Sequence, residues 1–123
     1  MEEAPAAGLA PCKVLVVDDE RDLADLAEAL LCGHGLEVRV AYSAREALQI
    51  LETDPDIDAV FSDVMMPGMT GLQLADMVKC LYPKVKVVLT SGFTAPALMV
   101  GHRSYPYAAK PYRIETILRL LCS

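Results

Sequence analysis

No two cysteines in this chain are spaced as a C-x-x-C pair, and neither histidine has a neighbour at ligand spacing. Cys12, Cys32, Cys80 and Cys122 are scattered, and they read as small hydrophobes of a reduced cytosol. His34 and His102 read as loop residues and not as metal ligands. Basic charge is also short: 11 Lys and Arg against 17 Asp and Glu leave a net charge of −6. With a pI of about 4.8, nucleic acid is not expected as a direct partner. No apolar run approaches the ~18 residues of a membrane span, so membrane insertion is not expected. Glu2 and Glu3 stand where a secretory signal would carry basic residues before an apolar stretch. A cytoplasmic protein is the expectation. There are no internal repeats and no low-complexity tract. What the chain does have is 54% hydrophobic residues and 23% charged over 123 positions, enough for one domain with a real core.

Along the chain, strand and helix patterns alternate. Residues 1–12 are small, Pro-bearing and weakly patterned, and read as a flexible arm or linker ahead of a domain at 13–123. Lys13 to Val17 is an apolar run, a buried strand that ends in Asp18, Asp19 and Glu20. Leu23, Leu26, Ala27, Leu30 and Leu31 recur at helical spacing up to Gly33. Glu37 to Ala41 alternates as a strand, and Ser43 with Glu46 makes a capping box for a second helix. A third strand covers Ala59 to Ser62. Thr70 with Gln73 opens a helix running to about Tyr82, with Leu72, Leu74, Ala75, Val78 and Leu81 as its apolar positions. Val85 to Leu89 is a fourth strand. A short helix starts at Thr94, and a fifth strand spans Tyr105 to Ala109. Pro106 cannot donate to a ladder, so that strand belongs at a sheet edge. Ile114, Ile117, Leu118 and Leu121 mark a last helix. Five strand-then-helix units with short connections predict a parallel α/β sheet with helices on both faces.

Parallel strands put all their carboxyl ends on one edge, the edge where ligands bind in open α/β sheets. That edge gathers Asp18, Asp19, Asp63, Thr90 and Lys110. Each has an ordinary explanation. Asp63 precedes the Pro67-Gly68 turn, Asp18 and Asp19 suit a helix N-terminus, Thr90 could cap, and Lys110 could be a solvated charge. Three carboxylates, a hydroxyl and an ammonium on one edge are together better explained as a site.

Those residues stand in VVDDE, FSDVMMPGMTG, VLTSG and AAKPY, and on these motifs the chain resembles the receiver domain of two-component response regulators from Lys13 to Leu121. The resemblance implies a flavodoxin-like five-stranded parallel sheet of order 2-1-3-4-5. It implies Mg²⁺-dependent acceptance of a phosphoryl group on Asp63, supplied by a phosphohistidine of a histidine kinase or phosphotransfer protein. Asp19 and Asp63 would ligate Mg²⁺ directly, Asp18 through water, and Met65 through its carbonyl. Lys110 would contact a phosphoryl oxygen, and Thr90 would turn inward to another as the switching step. Tyr107 matches the position of the switch aromatic, although an edge-strand tyrosine with its hydroxyl in solvent explains it equally well. The Lys110–Pro111 bond is implied to be cis. A downstream effector, or a second copy forming a homodimer, would read the face built from the helix after Thr94, the fifth strand and the last helix.

The chain departs from that pattern in places. The segment between Thr90 and Lys110 is compact and its helix short, so a mobile or reshaped switch face is expected. The last helix begins near Tyr112 and Arg113 without a Ser, Thr or Asp cap. TSGF with KPYR resembles receivers at the ends of hybrid histidine kinases, and kinase activity would belong only to such a parent chain. An isolated receiver has no enzymatic activity beyond its own phosphotransfer and autodephosphorylation. Two other functions compete: a pseudo-receiver that binds proteins without taking a phosphate, and a metal-dependent phosphatase. Retention of Asp18, Asp19, Asp63, Thr90 and Lys110 disfavours the first, and the lack of an added general acid disfavours the second.

Overall fold

Lys13–Val17 (β1) and Ala59–Asp63 (β3) occupy the middle of the sheet because both present apolar side chains to both of its faces. The computed structural model describes residues 13–91 and 105–122. In chain order the remaining elements are Arg21–Cys32 (α1), Glu37–Ala41 (β2), Ala44–Thr53 (α2), Gly71–Leu81 (α3), Lys86–Ser91 (β4), Tyr107–Ala109 (β5) and Ile114–Cys122 (α4). The strand order is β2-β1-β3-β4-β5 and every pairing is parallel, as expected. The expected arm at 1–12 and the short helix after Thr94 fall outside the described residues.

The core divides by strand alternation. Leu15, Val17, Val60, Val87 and Leu89 face α2 and α3, with Ala47, Leu51, Leu74 and Val78 against them. Val14, Val16, Ala59, Phe61 and Val88 face α1 and α4, meeting Ala24, Ala27, Leu31, Ile117 and Leu121. Side chains on a strand repeat every second residue. The face that receives Val16, Phe61, Val88 and Ala108 therefore receives Asp18, Asp63, Thr90 and Lys110 next. One parity brings the candidate residues together.

Several local expectations change. On α1 the buried positions are Ala24, Ala27 and Leu31, while Leu23, Leu26 and Leu30 are 38%, 56% and 37% exposed. The sheet is covered there by small residues, which let the helix lie close, and the leucines form an outer ridge. Leu81 of α3 is exposed as well. At α2 the Ser43 hydroxyl accepts from the Glu46 N–H, but Glu46 accepts from the Tyr42 N–H and not from Ser43. The Thr70–Gln73 capping box is complete. The fifth strand is shorter than expected: Tyr105 and Pro106 precede it, and Pro106 contributes only its carbonyl, which accepts from Leu89. Tyr105 is buried and its hydroxyl donates to Asp76 of α3. Cys32 and Cys80 are exposed free thiols on helices, not core hydrophobes, and His34 caps the end of α1 through the Leu30 carbonyl. No helix among the described residues is long and apolar enough to cross a membrane.

Candidate functional site

Strand ends β1 and β3 place Asp18, Asp19 and Asp63 so that one carboxylate oxygen from each lies within 4.8 Å of the others. Asp18 and Asp63 are buried and Asp19 is nearer solvent. Asp18 is fixed by its own turn, since its Oδ1 accepts from the Glu20 N–H at 2.9 Å. Asp63 is fixed from behind. The Val64 N–H donates to the Thr90 carbonyl, and the Gly71 N–H donates to the Val64 carbonyl at 2.8 Å.

Gly71 is a position that strand and helix patterns did not single out. A Cβ there would overlap the Asp63 carbonyl and sit 2.8 Å from the Cα of Val64. The start of α3 rests directly on the backbone that carries Asp63, and only glycine allows that approach. Gly71→Ala is therefore expected to destabilise the fold by roughly 1–3 kcal/mol, the usual range for overpacking, and to disturb Asp63 first. Urea unfolding checks the loss. A variant as stable as the wild type would contradict the close approach.

Lys110 closes the site from β5. Its N–H donates to the Ser91 carbonyl at 2.8 Å, continuing the ladder, and the Lys110–Pro111 bond is cis. The ammonium then lies 3.4 Å from Asp18 Oδ2 and 3.6 Å from Asp63 Oδ1. Burial disfavours the charge on Lys110, but Asp18 and Asp63 outweigh it and raise the pKa above the ordinary lysine value. For Asp63 burial wins. It pushes the carboxyl up to about 6, with Asp18 and Asp19 adding to the rise and Lys110 and the Met65 N–H opposing it. Three acidic groups against one lysine leave negative charge uncompensated in a partly buried site. A small divalent cation with oxygen preference fits that donor set.

Thr90 pairs with Asp63 across the ladder and is buried, but its hydroxyl donates to the Ala108 carbonyl at 2.7 Å. It is engaged with the edge strand. Met65 is 48% exposed, and the group it offers Asp63 is its N–H. Tyr107 is half-buried against the α2–α3 side of the core, with its hydroxyl 3.4 Å from the Ser91 carbonyl instead of in solvent. In the sequence Tyr112 marks only the start of a helix without a Ser, Thr or Asp cap. Its ring meets Phe61 edge-on, with centroids 5.3 Å apart and planes at 80°. Burial raises the Tyr112 phenol pKa, and Lys110, Asp18 and Asp63 are all close enough to act on it. Together with Lys110, Pro111 and the outer leucines of α1, Tyr112 walls an apolar groove of about 360 Å³ beside the acidic cluster.

Not every buried aspartate belongs to this cluster. Asp54 lies at the opposite edge, held below the usual carboxylate range by Lys13 at 2.7 Å and also bound by Arg39 at 3.1 Å. That arrangement joins β1, β2 and the end of α2.

A family model described as the response regulator receiver domain matches residues 14–120. The chain is 33% identical over 115 residues to a putative NtrX-like response regulator of Rickettsia bellii, covering 88% of this chain and 23% of that one. It is 32% identical to the regulatory protein VanR of Enterococcus faecium, covering 88% and 48%. The chain thus spans about a quarter to half of these relatives. Among solved structures, the receiver domain of NtrX from Brucella abortus superposes with a TM-score of 0.73 at 34% identity, covering 88% of this chain and 97% of that one. The chemotaxis protein CheY4 of Vibrio cholerae gives 0.77 at 31%, covering 91% and 97%.

Proposed function

This chain belongs to the response regulator receiver domain family, and from that premise we propose that it accepts a phosphoryl group on Asp63 in an Mg²⁺-dependent reaction and switches a partner-binding face. The observation that carries the reading is Lys110, 3.4 Å from Asp18 and 3.6 Å from Asp63 within a trio of carboxylates. An Asp63 oxygen attacks the phosphorus of a phosphohistidine on a kinase or phosphotransfer protein. The P–N bond breaks, an acyl phosphate forms, and the leaving imidazole takes its proton from solvent. Asp18, Asp19 and Asp63, with the Met65 carbonyl, would hold Mg²⁺, which when bound neutralises charge on the phosphoryl oxygens. Lys110 neutralises another oxygen as a point charge. In-line transfer needs positioning and charge compensation and little else, which is what these residues supply.

Thr90 supplies the switch by leaving the Ala108 carbonyl for a phosphoryl oxygen, which removes a hydrogen bond between β4 and β5. Tyr107, on the same edge strand, transmits that change to a downstream effector or to a second copy of the chain. The exposed Leu23, Leu26 and Leu30 support a helical donor. They form one ridge beside Lys110, and Asp22 and Asp25 on the same helix favour a basic flank on the partner. A cytoplasmic location suits such a donor.

Mass spectrometry after incubation with acetyl phosphate separates the readings. With Mg²⁺ the protein gains one phosphate, and in EDTA it gains none. No gain under either condition would make it a phosphorylation-independent binding module. Turnover of the donor without retention would make it a phosphatase.

A further inference from the structure

We infer that Tyr112 is the positioning residue of this site: its ring, set edge-on against Phe61, holds the Lys110 ammonium between Asp18 and Asp63. The inference deepens the reading of Asp63 as phosphoryl acceptor and rests on it for its kinetic consequence.

A lysine side chain is flexible, and its rotamer entropy opposes keeping the ammonium in one place. The ladder bond from the Lys110 N–H to Ser91 fixes the backbone, not the end of the side chain. What lies beside that side chain is Tyr112, two residues on, sharing with Lys110 the wall of one groove. The Tyr112 ring is itself anchored. Phe61 is 2% exposed and packed among Val88, Ala108 and Ile117. Phe61 also precedes Asp63 by two residues on the same strand, so both side chains leave the same face. The neighbours therefore close a circuit: Asp63 and Phe61 on β3, Phe61 in ring contact with Tyr112, Tyr112 sharing a groove wall with Lys110, and Lys110 back to Asp63. Through it the lysine is referenced to the strand that carries the nucleophile. The Tyr112 hydroxyl makes no hydrogen bond among the described residues, so the ring and not the oxygen carries the function.

The test uses the whole chain. In the metal-free protein, reductive methylation of Lys110, followed by peptide mass spectrometry, reads how well its ammonium is held. Tyr112→Ala is expected to raise the Lys110 rate several-fold, while Tyr112→Phe leaves it unchanged. With acetyl phosphate and Mg²⁺, Tyr112→Ala is expected to slow labelling about tenfold, a modest loss for a misplaced catalytic group. Tyr112→Phe restores the wild-type rate, and the Mg²⁺ Kd by calorimetry stays the same in all three. In a Lys110→Ala background, Tyr112→Ala should add nothing, because both act through one group. Should Tyr112→Ala not fold by circular dichroism, Tyr112→Leu fills the volume without the ring edge and carries the same expectations. Unchanged Lys110 reactivity in the alanine and leucine variants overturns the inference. A wild type that takes no label, alongside raised Lys110 reactivity in the variants, overturns the acceptor reading and leaves the positioning of Lys110 standing.

Discussion

In EDTA at about pH 7.5, Asp63→Asn is expected to melt roughly 5 °C above the wild type, the shift that about 1 kcal/mol gives in a domain of this size. Burial raises the folded-state pKa of Asp63 from 3.8 to about 6. Below both values the carboxyl is protonated whether the chain is folded or not, and the group has no effect on stability. Between them the folded state keeps a proton that the unfolded state has lost. Stability therefore falls as pH rises through this window and stays lower above it. A shift of about two units corresponds to roughly 3 kcal/mol at most. Asparagine never ionises, so the advantage of the variant should shrink towards zero near pH 4. Adding Mg²⁺ should close or reverse the gap at neutral pH, because only the wild type keeps all three carboxylates. Thermal melts across pH check this. A variant less stable than the wild type in EDTA at neutral pH would show that Lys110 compensates Asp63 fully.

The second large effect concerns the life of the phosphorylated state. Hydrolysis needs a water in line with the departing Asp63 oxygen, and polar side chains beside the site can hold it there. In receivers the positions suited to this lie two residues after the acceptor and two after the switch threonine, here Met65 and Gly92. Met65 is half exposed and offers a thioether, a weak acceptor, while Gly92, which lies outside the described residues, has no side chain by its identity. A Met65→Asn, Gly92→Glu double variant is expected to lose its phosphate at least about tenfold faster than the wild type, since an oriented water behaves as an intramolecular reactant. Decay of the purified phosphoproteins at one temperature measures it. Equal decay would mean that another group orients the water.

The gathering of Asp18, Asp63, Thr90 and Lys110 was legible because it follows from period-two alternation and parallel connectivity, which the apolar runs display directly, whereas the sheet order was implied by the resemblance to receiver domains and not by any periodicity. The edge position of β5 was legible from Pro106 alone. Which side of α1 faces the sheet was not. Ala27 and Leu31 are buried as the spacing implied, but the choice between Leu23, Leu26 and Leu30 or Ala24 depends on how closely the helix approaches, a property of packing and not of pattern. The resemblance assigns the three acidic residues different roles, but their surroundings are separated only by the structure. Asp18 has Lys110 and the Glu20 N–H, Asp19 is nearer solvent, and Asp63 bears the cost of burial. The direction of the Thr90 hydroxyl, towards Ala108, is a rotamer choice that no spacing encodes. Tyr112 and Gly71 matter through single contacts, with Phe61 and with the Asp63 carbonyl, and such contacts leave no periodic trace.

Borohydride reduction of the protein after labelling tests the central claim most directly, because it converts an aspartyl phosphate to homoserine that peptide sequencing can place. The account predicts homoserine at position 63 and nowhere else, and none in Asp63→Asn. Homoserine at position 18 or 19, or label surviving in Asp63→Asn, would contradict it.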